Sequence, residues 1–386
     1  MKIFLSFLQG KPNHPVPAYS FWEFYIKNGI VEAGYQWVEC AEVDWAEGLV
    51  YQNGGADLEQ WKAYSWDKTI AYLKKTKVDL FLAYLYPYQV DEQAIKEIQA
   101  LGIPCVNYFC DNVREFTEAP KAYYPFDLHW VPEYKALNIY KKAGLNFLNL
   151  PMPVWVKPEQ RTSHFEEKYK PTFVGSIDIQ RAALFQNVLK KYPHIELRGP
   201  GWLNEKKQSV KQNPYSATKL ALVKNQIDFM TKNGLKAYFY KFYNAYQKPV
   251  IDFDFLKSFV AEKAFNEAYF EVSKNAIVTI GVNRYPSFRH SVLQPDTYSR
   301  LRDIEATMLG ACYLTEATEG LDLLYDMDKE IAVYHHEDDM IAQIKFLIHH
   351  PQQRKNLRIN GQKKALNELG IPQSLKQIAH TFNLKS

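Results

Sequence analysis

Apolar residues fall into short continuous runs that alternate with longer segments in which they recur every three or four positions. In the first 150 residues, six runs predict strands, at 2–8, 35–40, 78–85, 104–110, 126–131 and 146–150. Four segments predict helices, at 19–33, 58–74, 91–101 and 134–143. Strands that alternate with helices are typical of a parallel sheet, so this part of the chain predicts one doubly wound domain.

A second alternation follows a polar stretch at 157–170 that indicates a linker. Its predicted strands are 171–175, 195–198, 276–280, 312–315 and 331–333. Its predicted helices are 179–191, 216–231, 236–245, 253–272, 298–309, 338–349, 351–369 and 372–383. The sequence therefore predicts an α/β fold with two Rossmann-like, doubly wound domains facing a cleft. We place these domains at 1–155 and 156–371, with a helical insertion at about 204–274 and the last helix, 372–386, packing back on the first domain.

Composition agrees with this organisation, since 386 residues fit two domains and 47% hydrophobic with 23% charged residues is typical of buried cores. A net charge of +4 favours a phosphate-bearing ligand but is small for a dedicated nucleic-acid binder. The four cysteines form no CxxC pair or Cys/His cluster, so we expect neither a zinc site nor disulfides. The first apolar run is too short for a signal peptide, and no run approaches the about 18 apolar residues of a membrane helix. We therefore expect a cytoplasmic protein without a membrane span.

The strand that ends at Gly175 and Ser176 leads directly into a predicted helix. A helix N-terminus offers backbone N–H groups to an anion, and Gly175 lets the backbone approach a phosphate closely. Arg181, in the first turns of the helix, adds a bidentate donor. The next strand ends in a similar way, at Arg198 and Gly199. Taken alone, this pattern is more typical of an ordinary strand-to-helix turn than of a binding site.

Arg302 and Glu305 are three residues apart and share one face at the start of a predicted helix. A carboxylate there can accept hydroxyl groups of a ribose, while the arginine neutralises a phosphate. The alternative interpretation is an intrahelical ion pair, worth about 0.3–0.5 kcal/mol. The loop after the strand 276–280 contains Asn283 and Arg284, which would touch the base or the sugar of a nucleotide ligand, although a surface loop has the same composition.

Two residues of the first domain are candidates for acid–base chemistry. His14 lies in the loop after the first strand, and Asp111 follows the strand 104–110. Ligands of doubly wound folds bind at the carboxyl ends of strands, so both residues would face the cleft. Either side chain can remove a proton from a substrate hydroxyl. A solvated loop is an equally good interpretation of the segment around His14.

Two patterns that resemble metal sites have simpler explanations. Asp252 and Asp254 form a DxD pair at the start of a predicted helix, where aspartate is a common N-cap residue. The His-His pairs at 335–336 and 349–350 consist of adjacent residues, whose side chains point apart on a helix. We therefore expect no metal site.

Several motifs, taken in order, resemble the C-terminal domain of CgeB-like glycosyltransferases, which are relatives of the retaining, GT4-related group with the GT-B fold. These motifs are Phe-Val-Gly-Ser at 173–176, Arg181, the string from Arg302 to Thr315, Ile-Asn-Gly-Gln at 359–362 and His-Thr-Phe at 380–382. The string Leu-Arg-Asp-Ile-Glu at 301–305 is also similar to the donor-site helix of phage DNA glucosyltransferases. The resemblance covers roughly 171–200 and 275–382, and over 1–150 it is limited to strand order and Asp111.

The resemblance implies a GT-B glycosyltransferase (EC 2.4 class) that uses a nucleotide-sugar donor, most simply a UDP-sugar with a GDP- or dTDP-sugar as the alternative, and needs no metal. It implies that Glu305 binds the donor ribose and that Arg302 and Arg181 contact the diphosphate, with Gly175 and Ser176 lining the pocket. Many retaining relatives carry a second glutamate eight positions before the ribose glutamate, and Thr297 stands there in this chain. This departure leaves the stereochemistry open, and a base such as Asp111 is obligatory only in an inverting enzyme.

Other interpretations remain open at this point. A phage-type transferase would act on modified DNA, and Thr297 favours a non-catalytic GT-B-like binding protein. An epimerase or phosphorylase on the same fold is a third alternative, although the cofactor lysine motif of phosphorylases is not found. The acceptor would be a polysaccharide, a protein or modified DNA. The aromatic helix at 236–245 is interpreted as core or as a homodimer face.

Overall fold

The computed structural model describes residues 1–8, 19–50, 55–161, 165–203, 237–244, 246–262, 264, 267–287 and 289–384. The chain divides into two compact units. Unit 1 comprises Met1–Lys157 together with Lys364–Ser386, and unit 2 comprises Pro158–Lys363. Each unit contains its own parallel sheet.

The sheet of unit 1 has six strands: β1 (Lys2–Ser6), β2 (Gln36–Val38), β3 (Leu80–Ala83), β4 (Cys105–Tyr108), β5 (Leu128–Trp130) and β6 (Phe147–Leu148). Their order is β2-β1-β3-β4-β5-β6. The helices between them are α1 (Tyr19–Glu32), α2 (Ala56–Leu73), α3 (Glu92–Ala100), α4 (Asn112–Glu115) and α5 (Leu137–Lys142). Every residue of β3 and β4 is buried, as expected for central strands covered on both faces. The strands and helices predicted for this half are present, with ends that differ by a few residues.

The sheet of unit 2 has five strands: β7 (Thr172–Val174), β8 (Glu196–Arg198), β9 (Thr279–Ile280), β10 (Tyr313–Glu316) and β11 (Ala332–Tyr334). Its helices are α6 (Ile179–Lys191), α7 (237–244), α8 (Phe253–Lys257), α9 (Glu267–Asn275), α10 (Leu301–Met308), α11 (Glu337–His349) and α12 (Pro351–Glu368). The end of α12, from Lys364 on, belongs to unit 1. The strand order is β11-β10-β9-β7-β8, so the direction of winding reverses between β7 and β9. Four neighbouring strands each contribute a buried apolar side chain to a shared core. These side chains are Phe173, Leu197, Ile280 and Leu314.

The last helix, α13 (Ile371–Thr381), belongs to unit 1 and packs against α1. A Cβ atom on Gly29 would lie 2.5 Å from the side chain of Ile371, so the two helices approach this closely because residue 29 is glycine. Ile371, Leu375 and Ile378 are completely buried. The end of the chain therefore contributes to the core of the unit that the beginning of the chain forms.

The prediction of one long helix at 253–272 is wrong, because α8 and α9 are separate helices. Asp252 caps α8, with its carboxylate 2.9 Å from the N–H of Phe255, as predicted for this DxD segment. The segment after α8 then pairs with the edge of the sheet. Backbone groups of Leu197 bond to Phe259 and Ala261 at 2.9 and 3.0 Å. These edge hydrogen bonds compete with helix continuation and end α8.

The prediction for residues 298–309 is wrong at its first turn. Residues 298–300 are not helical, and α10 begins at Leu301. Thr297 pairs with Arg284 in an antiparallel bridge, and the N–H of Tyr298 donates to the carbonyl of Asn283 at 3.3 Å. The predicted helix at 216–231 lies outside the described residues.

Candidate functional site

The carboxyl ends of β7 and β9 lie side by side where the strand order of unit 2 reverses. Gly175 and Ser176 follow β7, and residues 281–283 follow β9. Doubly wound folds bind their ligands at such a switch point. Most binding residues predicted for the second domain are therefore near the edge of the sheet at which a ligand is expected.

Gly175 is approached from two directions. Its N–H donates to the Arg198 carbonyl at 2.8 Å, and its carbonyl accepts from the Trp202 indole at 2.7 Å. A Cβ atom on Gly175 would lie 3.3 Å from Nη1 of Arg302. Gly199 has a φ of +127°, and a Cβ atom there would lie 2.4 Å from the Gly175 carbonyl oxygen, so both conformation and space require glycine. The structure thus brings Gly175, Gly199 and Arg302 together.

The prediction that the start of α6 offers free N–H groups is wrong for its first turn. Asp178 caps α6 and accepts hydrogen bonds from the N–H groups of Gln180 and Arg181, both at 2.9 Å. The N–H of Ile177 donates to the Pro200 carbonyl at 3.1 Å. These contacts use donors that a phosphate would otherwise bind. Positive charge at this turn therefore comes mainly from side chains.

Arg181 extends back over the turn that precedes its own helix. Its Nη1 donates to the Ser176 carbonyl at 2.8 Å, and its Nε lies 3.4 Å from Oδ2 of Asp178. Burial, with smaller contributions from the charges of Arg300 and Arg302, lowers the pKa of Arg181 to about 10. The charge of Arg181 is therefore close enough to those of Arg300 and Arg302 to be repelled by both.

Arg181, Arg300 and Arg302 form an arginine cluster. The Nε atoms of Arg300 and Arg302 are buried and have no hydrogen-bond partner in the described part of the chain. The Arg300 guanidinium donates to the Arg284 carbonyl at 3.4 Å and lies 4.9 Å from the ring centroid of Tyr298. Buried charged groups with incomplete hydrogen bonding are costly in free energy. An anion bound here would supply the missing acceptors and compensate the positive charge.

Glu305 is 3% exposed and accepts a hydrogen bond from the hydroxyl of Tyr269 on α9. The guanidinium of Arg302 lies over the ring of the same tyrosine, 5.1 Å from its centroid. Burial raises the pKa of Tyr269, so its hydroxyl keeps the proton that it donates. The side chain of Tyr269 therefore contacts both residues of α10 that are predicted to bind the nucleotide.

Asp303 anchors the start of α10 to the sheet. Its fully buried carboxylate accepts hydrogen bonds from the hydroxyls of Tyr313 and Thr315 on β10, at 2.8 and 3.0 Å. It also accepts from the Ser299 hydroxyl at 2.8 Å and from the Arg300 N–H at 3.0 Å. Burial raises the pKa of Asp303, and these four donors oppose that shift. The network fixes the start of α10, where Arg300 precedes the helix and Arg302 lies in its first turn.

The other residues predicted to bind the sugar-nucleotide donor use their side chains for hydrogen bonds to other parts of the protein. Arg284 donates to Oε1 of Glu316 through Nε at 2.8 Å and Nη2 at 2.5 Å. Asn283 donates its side-chain amide to the Glu316 carbonyl at 2.9 Å. Arg198 donates to Glu196 at 2.9 Å and to the Glu262 carbonyl at 3.0 Å. These contacts fix the loops around the switch point, and they occupy side chains that were predicted to bind a ligand.

Three residues of the site are missing from the sequence prediction: Arg300, Tyr269 and Asp303. Arg300 had a visible signal, since it stands two positions before Arg302 in the same string. Tyr269 lies 36 positions before Glu305, and no spacing rule connects them. Asp303 is an acidic residue in the first turn of a helix, which is a common position for such residues, so the sequence does not distinguish it from a surface carboxylate.

The acid–base candidates belong to unit 1, where Asp111 ends the loop after β4 and His14 lies outside the described residues. Beside Asp111, Oε2 of the fully buried Glu133 accepts hydrogen bonds from the N–H and the side-chain amide of Asn112, at 3.0 and 2.6 Å. The Tyr140 hydroxyl donates to Oδ1 of Asn112 at 2.7 Å. Burial, opposed by the Asn112 hydrogen bonds and aided by the charge of Asp111, raises the pKa of Glu133 to about 8.

Among the described residues, no group of three or more His, Cys, Asp or Glu side chains is arranged to hold a metal ion. His336, one of the paired histidines, caps α11 by accepting the N–H of Asp339 at 3.2 Å. Within the same described ranges, no helix is long and apolar enough to cross a membrane.

A family model described as "Glycosyl transferase-like" matches residues 244–379, from the end of α7 into α13. The matched range contains Arg284, Arg300, Arg302 and Glu305. No curated protein is significantly similar to the chain in sequence.

Solved structures match almost the full length of the chain. HepE from Anabaena in complex with UDP has a TM-score of 0.56 at 12% identity, with 99% of this chain and 100% of that chain covered. Sucrose-phosphate synthase from Thermosynechococcus elongatus has a TM-score of 0.56 at 11% identity, with 99% and 98% covered. A glycosyltransferase from Rickettsia africae has a TM-score of 0.58 at 6% identity, with 99% and 97% covered. At such identities, the likeness shows the fold alone. The chain therefore has the α/β, two-sheet GT-B fold and carries a glycosyl transferase-like region over residues 244–379.

Proposed function

We propose that the protein is a glycosyltransferase that moves a sugar from a nucleoside diphosphate, with UDP as the nucleotide, to an acceptor hydroxyl. The observation that carries this proposal is the arginine cluster at the switch point of unit 2, where buried guanidinium donors lack partners within the described residues. A diphosphate has the charge and the several oxygen acceptors that these donors bind. The glycosyl transferase-like region supports a sugar nucleotide over other phosphorylated ligands, as do the HepE complexes with UDP and UDP-glucose.

The arginine cluster suits the leaving group of the reaction. Negative charge grows on the diphosphate as its bond to the sugar breaks, and preorganised donors stabilise that charge in the transition state. Arg181, Arg300 and Arg302 supply this stabilisation without a divalent cation, so we propose a metal-independent reaction. Because residue 175 is glycine, Nη1 of Arg302 can lie close to the backbone beside Ser176, where we place the diphosphate. The CgeB-like motif assigns the donor ribose to Glu305.

On the acceptor side we propose that Asp111, with His14 as the alternative, takes the proton of the acceptor hydroxyl, a step that an inverting reaction would require and a retaining one would not. The ordered motifs from Arg181 to Thr315 support membership of the CgeB-like, GT4-related group. We propose a hydroxyl-bearing polymer as acceptor, namely a polysaccharide, a protein or modified DNA. Unit 2 would bind the donor and unit 1 the acceptor.

Titration calorimetry with UDP tests the proposal. We expect binding to the unaltered chain, and we expect Arg181→Met to weaken it about 10- to 100-fold, as for the loss of a charge-assisted hydrogen bond. Lys329→Ala is the matched control, since it removes one positive charge from an exposed ion pair in the same unit. We expect the control to bind UDP within about twofold of the unaltered chain. Absence of binding to UDP, GDP and dTDP would sink the proposal.

A non-catalytic binding protein is the second candidate, and Thr297 is the observation that favours it. In the position of the second glutamate of retaining relatives, the Thr297 hydroxyl donates to the hydroxyl of Thr318 at 3.0 Å. Release of free sugar from UDP-sugars, measured by chromatography without an acceptor, would argue against this candidate. Tight UDP-sugar binding with no turnover on any acceptor would favour it.

A further inference from the structure

We propose that Tyr269 is a positioning residue of the donor site, which orients Glu305 toward a ribose and Arg302 toward a diphosphate. This inference rests on the proposed function. Tyr269 lies on α9. The residues proposed to bind the donor lie elsewhere, on α10 and at the strand-to-helix turn that contains Gly175. The contacts of this one side chain nevertheless reach both charged groups.

The two contacts use different parts of the tyrosine. The hydroxyl donates to Oε2 of Glu305, and a hydrogen bond to a carboxylate fixes the direction of its remaining acceptor sites. The ring face attracts the Arg302 guanidinium at 5.1 Å from the centroid, through its quadrupole. A phenylalanine would retain only the second contact, and a leucine neither.

Packing holds the tyrosine at the end of β7. Tyr269 is partly buried against Val174, Ala264 and Val272. Val174 is the last residue of β7 and directly precedes Gly175. Movement of the ring would therefore shift the guanidinium of Arg302 relative to the turn at Gly175 and Ser176, where we place the diphosphate. Holding both groups before the ligand arrives lowers the conformational cost of binding, which is the role we assign to Tyr269.

The hydroxyl and the ring of Tyr269 contact different residues, so substitutions can remove one contact and keep the other. This gives a test that distinguishes a positioning role from a purely structural one. Binding of UDP, 2′-deoxy-UDP and pyrophosphate is measured by titration calorimetry on the unaltered chain, Tyr269→Phe and Tyr269→Leu. We expect the unaltered chain to prefer UDP over 2′-deoxy-UDP, and Tyr269→Phe to reduce that preference about five- to tenfold, in line with the net contribution of one hydrogen bond. Pyrophosphate affinity should stay within about twofold in Tyr269→Phe and fall in Tyr269→Leu, because only leucine removes the cation–π contact.

Tyr169→Phe is the matched control. Tyr169 belongs to the same apolar cluster, and Arg198 lies over its ring at the same 5.1 Å distance. Removing its hydroxyl should leave the preference for UDP over 2′-deoxy-UDP unchanged. An unchanged preference in Tyr269→Phe would overturn the inference, and so would an equal loss of pyrophosphate and UDP binding in that variant. If the unaltered chain binds neither UDP nor pyrophosphate, the proposed function fails instead.

Discussion

The arginine side chains of unit 2 are of two kinds. In one kind the protein supplies hydrogen-bond partners for the guanidinium group, and in the other a buried donor atom has no partner among the described residues. Arg354 donates to both carboxylate oxygens of Glu167, at 2.8 and 2.6 Å, and to the carbonyl of Leu347 at 2.6 Å. Arg300 and Arg302 instead have buried Nε atoms without partners in the described residues. Residues of the first kind stabilise the fold, whereas residues of the second kind cost stability that a ligand can restore.

The effect on stability of removing one arginine should therefore differ between the two kinds. Arg181 belongs to the second kind, because its Nε is also buried without a hydrogen-bond partner among the described residues. Burial and two like charges disfavour its charged form, so we expect Arg181→Met to raise the free energy of unfolding of the free protein by about 1 kcal/mol. Arg354→Met should lower it by about 3 kcal/mol, because Glu167 loses its partner. Urea unfolding of both variants measures the difference. Destabilisation of equal size in the two would contradict this interpretation of the cluster.

Glu133 gives unit 1 a pH-dependent stability. Folding raises its pKa from 4.5 to about 8, so the folded state favours the protonated acid. This contribution is complete below about pH 4.5 and is lost as the pH rises toward 8. The loss reaches at most about 1.4 kcal/mol per pH unit. We expect Glu133→Gln to flatten the dependence of the urea midpoint on pH between 5 and 8, since an amide does not titrate.

Glu97→Gln controls for the loss of a surface charge in the same unit, because Glu97 forms an exposed ion pair with Lys74. Its midpoints should follow those of the unaltered chain at every pH. A Glu133→Gln variant that keeps the original slope would show that Glu133 is ionised in the folded protein.

At the scale of elements, the turn between β7 and α6 is determined by contacts with its neighbour β8. Gly199 follows β8 and packs directly on the carbonyl of Gly175. The sequence predicted both strands and the helix, because each has a clear local pattern. It did not predict that Asp178 would use the first N–H groups of α6, or that residues 259–261 would pair with β8 and divide the helix predicted at 253–272.

Gly199→Ala tests the contact between these two turns. The substitution combines a left-handed φ of +127° with a Cβ atom 2.4 Å from the Gly175 carbonyl oxygen, so we expect a loss of about 3 kcal/mol. Gly34→Ala is the control, because its φ is +78° but no atom lies within 4 Å of the added Cβ. That variant should lose only about 1 kcal/mol. Similar thermal midpoints for the two variants would argue against a tight contact at Gly175.

At the scale of the whole molecule, the chain returns to unit 1 after completing unit 2. Helix α13 buries Ile371, Leu375 and Ile378 in unit 1. Each fully buried aliphatic side chain contributes about 1.5–3 kcal/mol, so together they approach the total stability of an ordinary domain.

A chain that ends at Gly370 should therefore lose stability in unit 1 and keep it in unit 2. Hydrogen exchange with mass spectrometry would show faster exchange in α1, β1 and β3, with β7, β9 and β10 still protected. A chain that ends at Leu384 is the control and should exchange like the full chain, since it retains all of α13. Equal loss of protection in both sheets would show that the two units unfold together.

The sequence by itself determined the α/β class, the two parallel sheets and the local motifs at Gly175 and Arg302. These features depend on hydrophobic periodicity and on glycine and proline positions, which act over a few neighbouring residues. Tertiary structure alone decided which side chains surround those motifs. Tyr269, Asp303 and Glu316 reach the site from α9, α10 and β10, and Arg284 forms contacts that the motifs do not specify. The free energy of such contacts depends on burial and on partners distant along the chain, which no local pattern records.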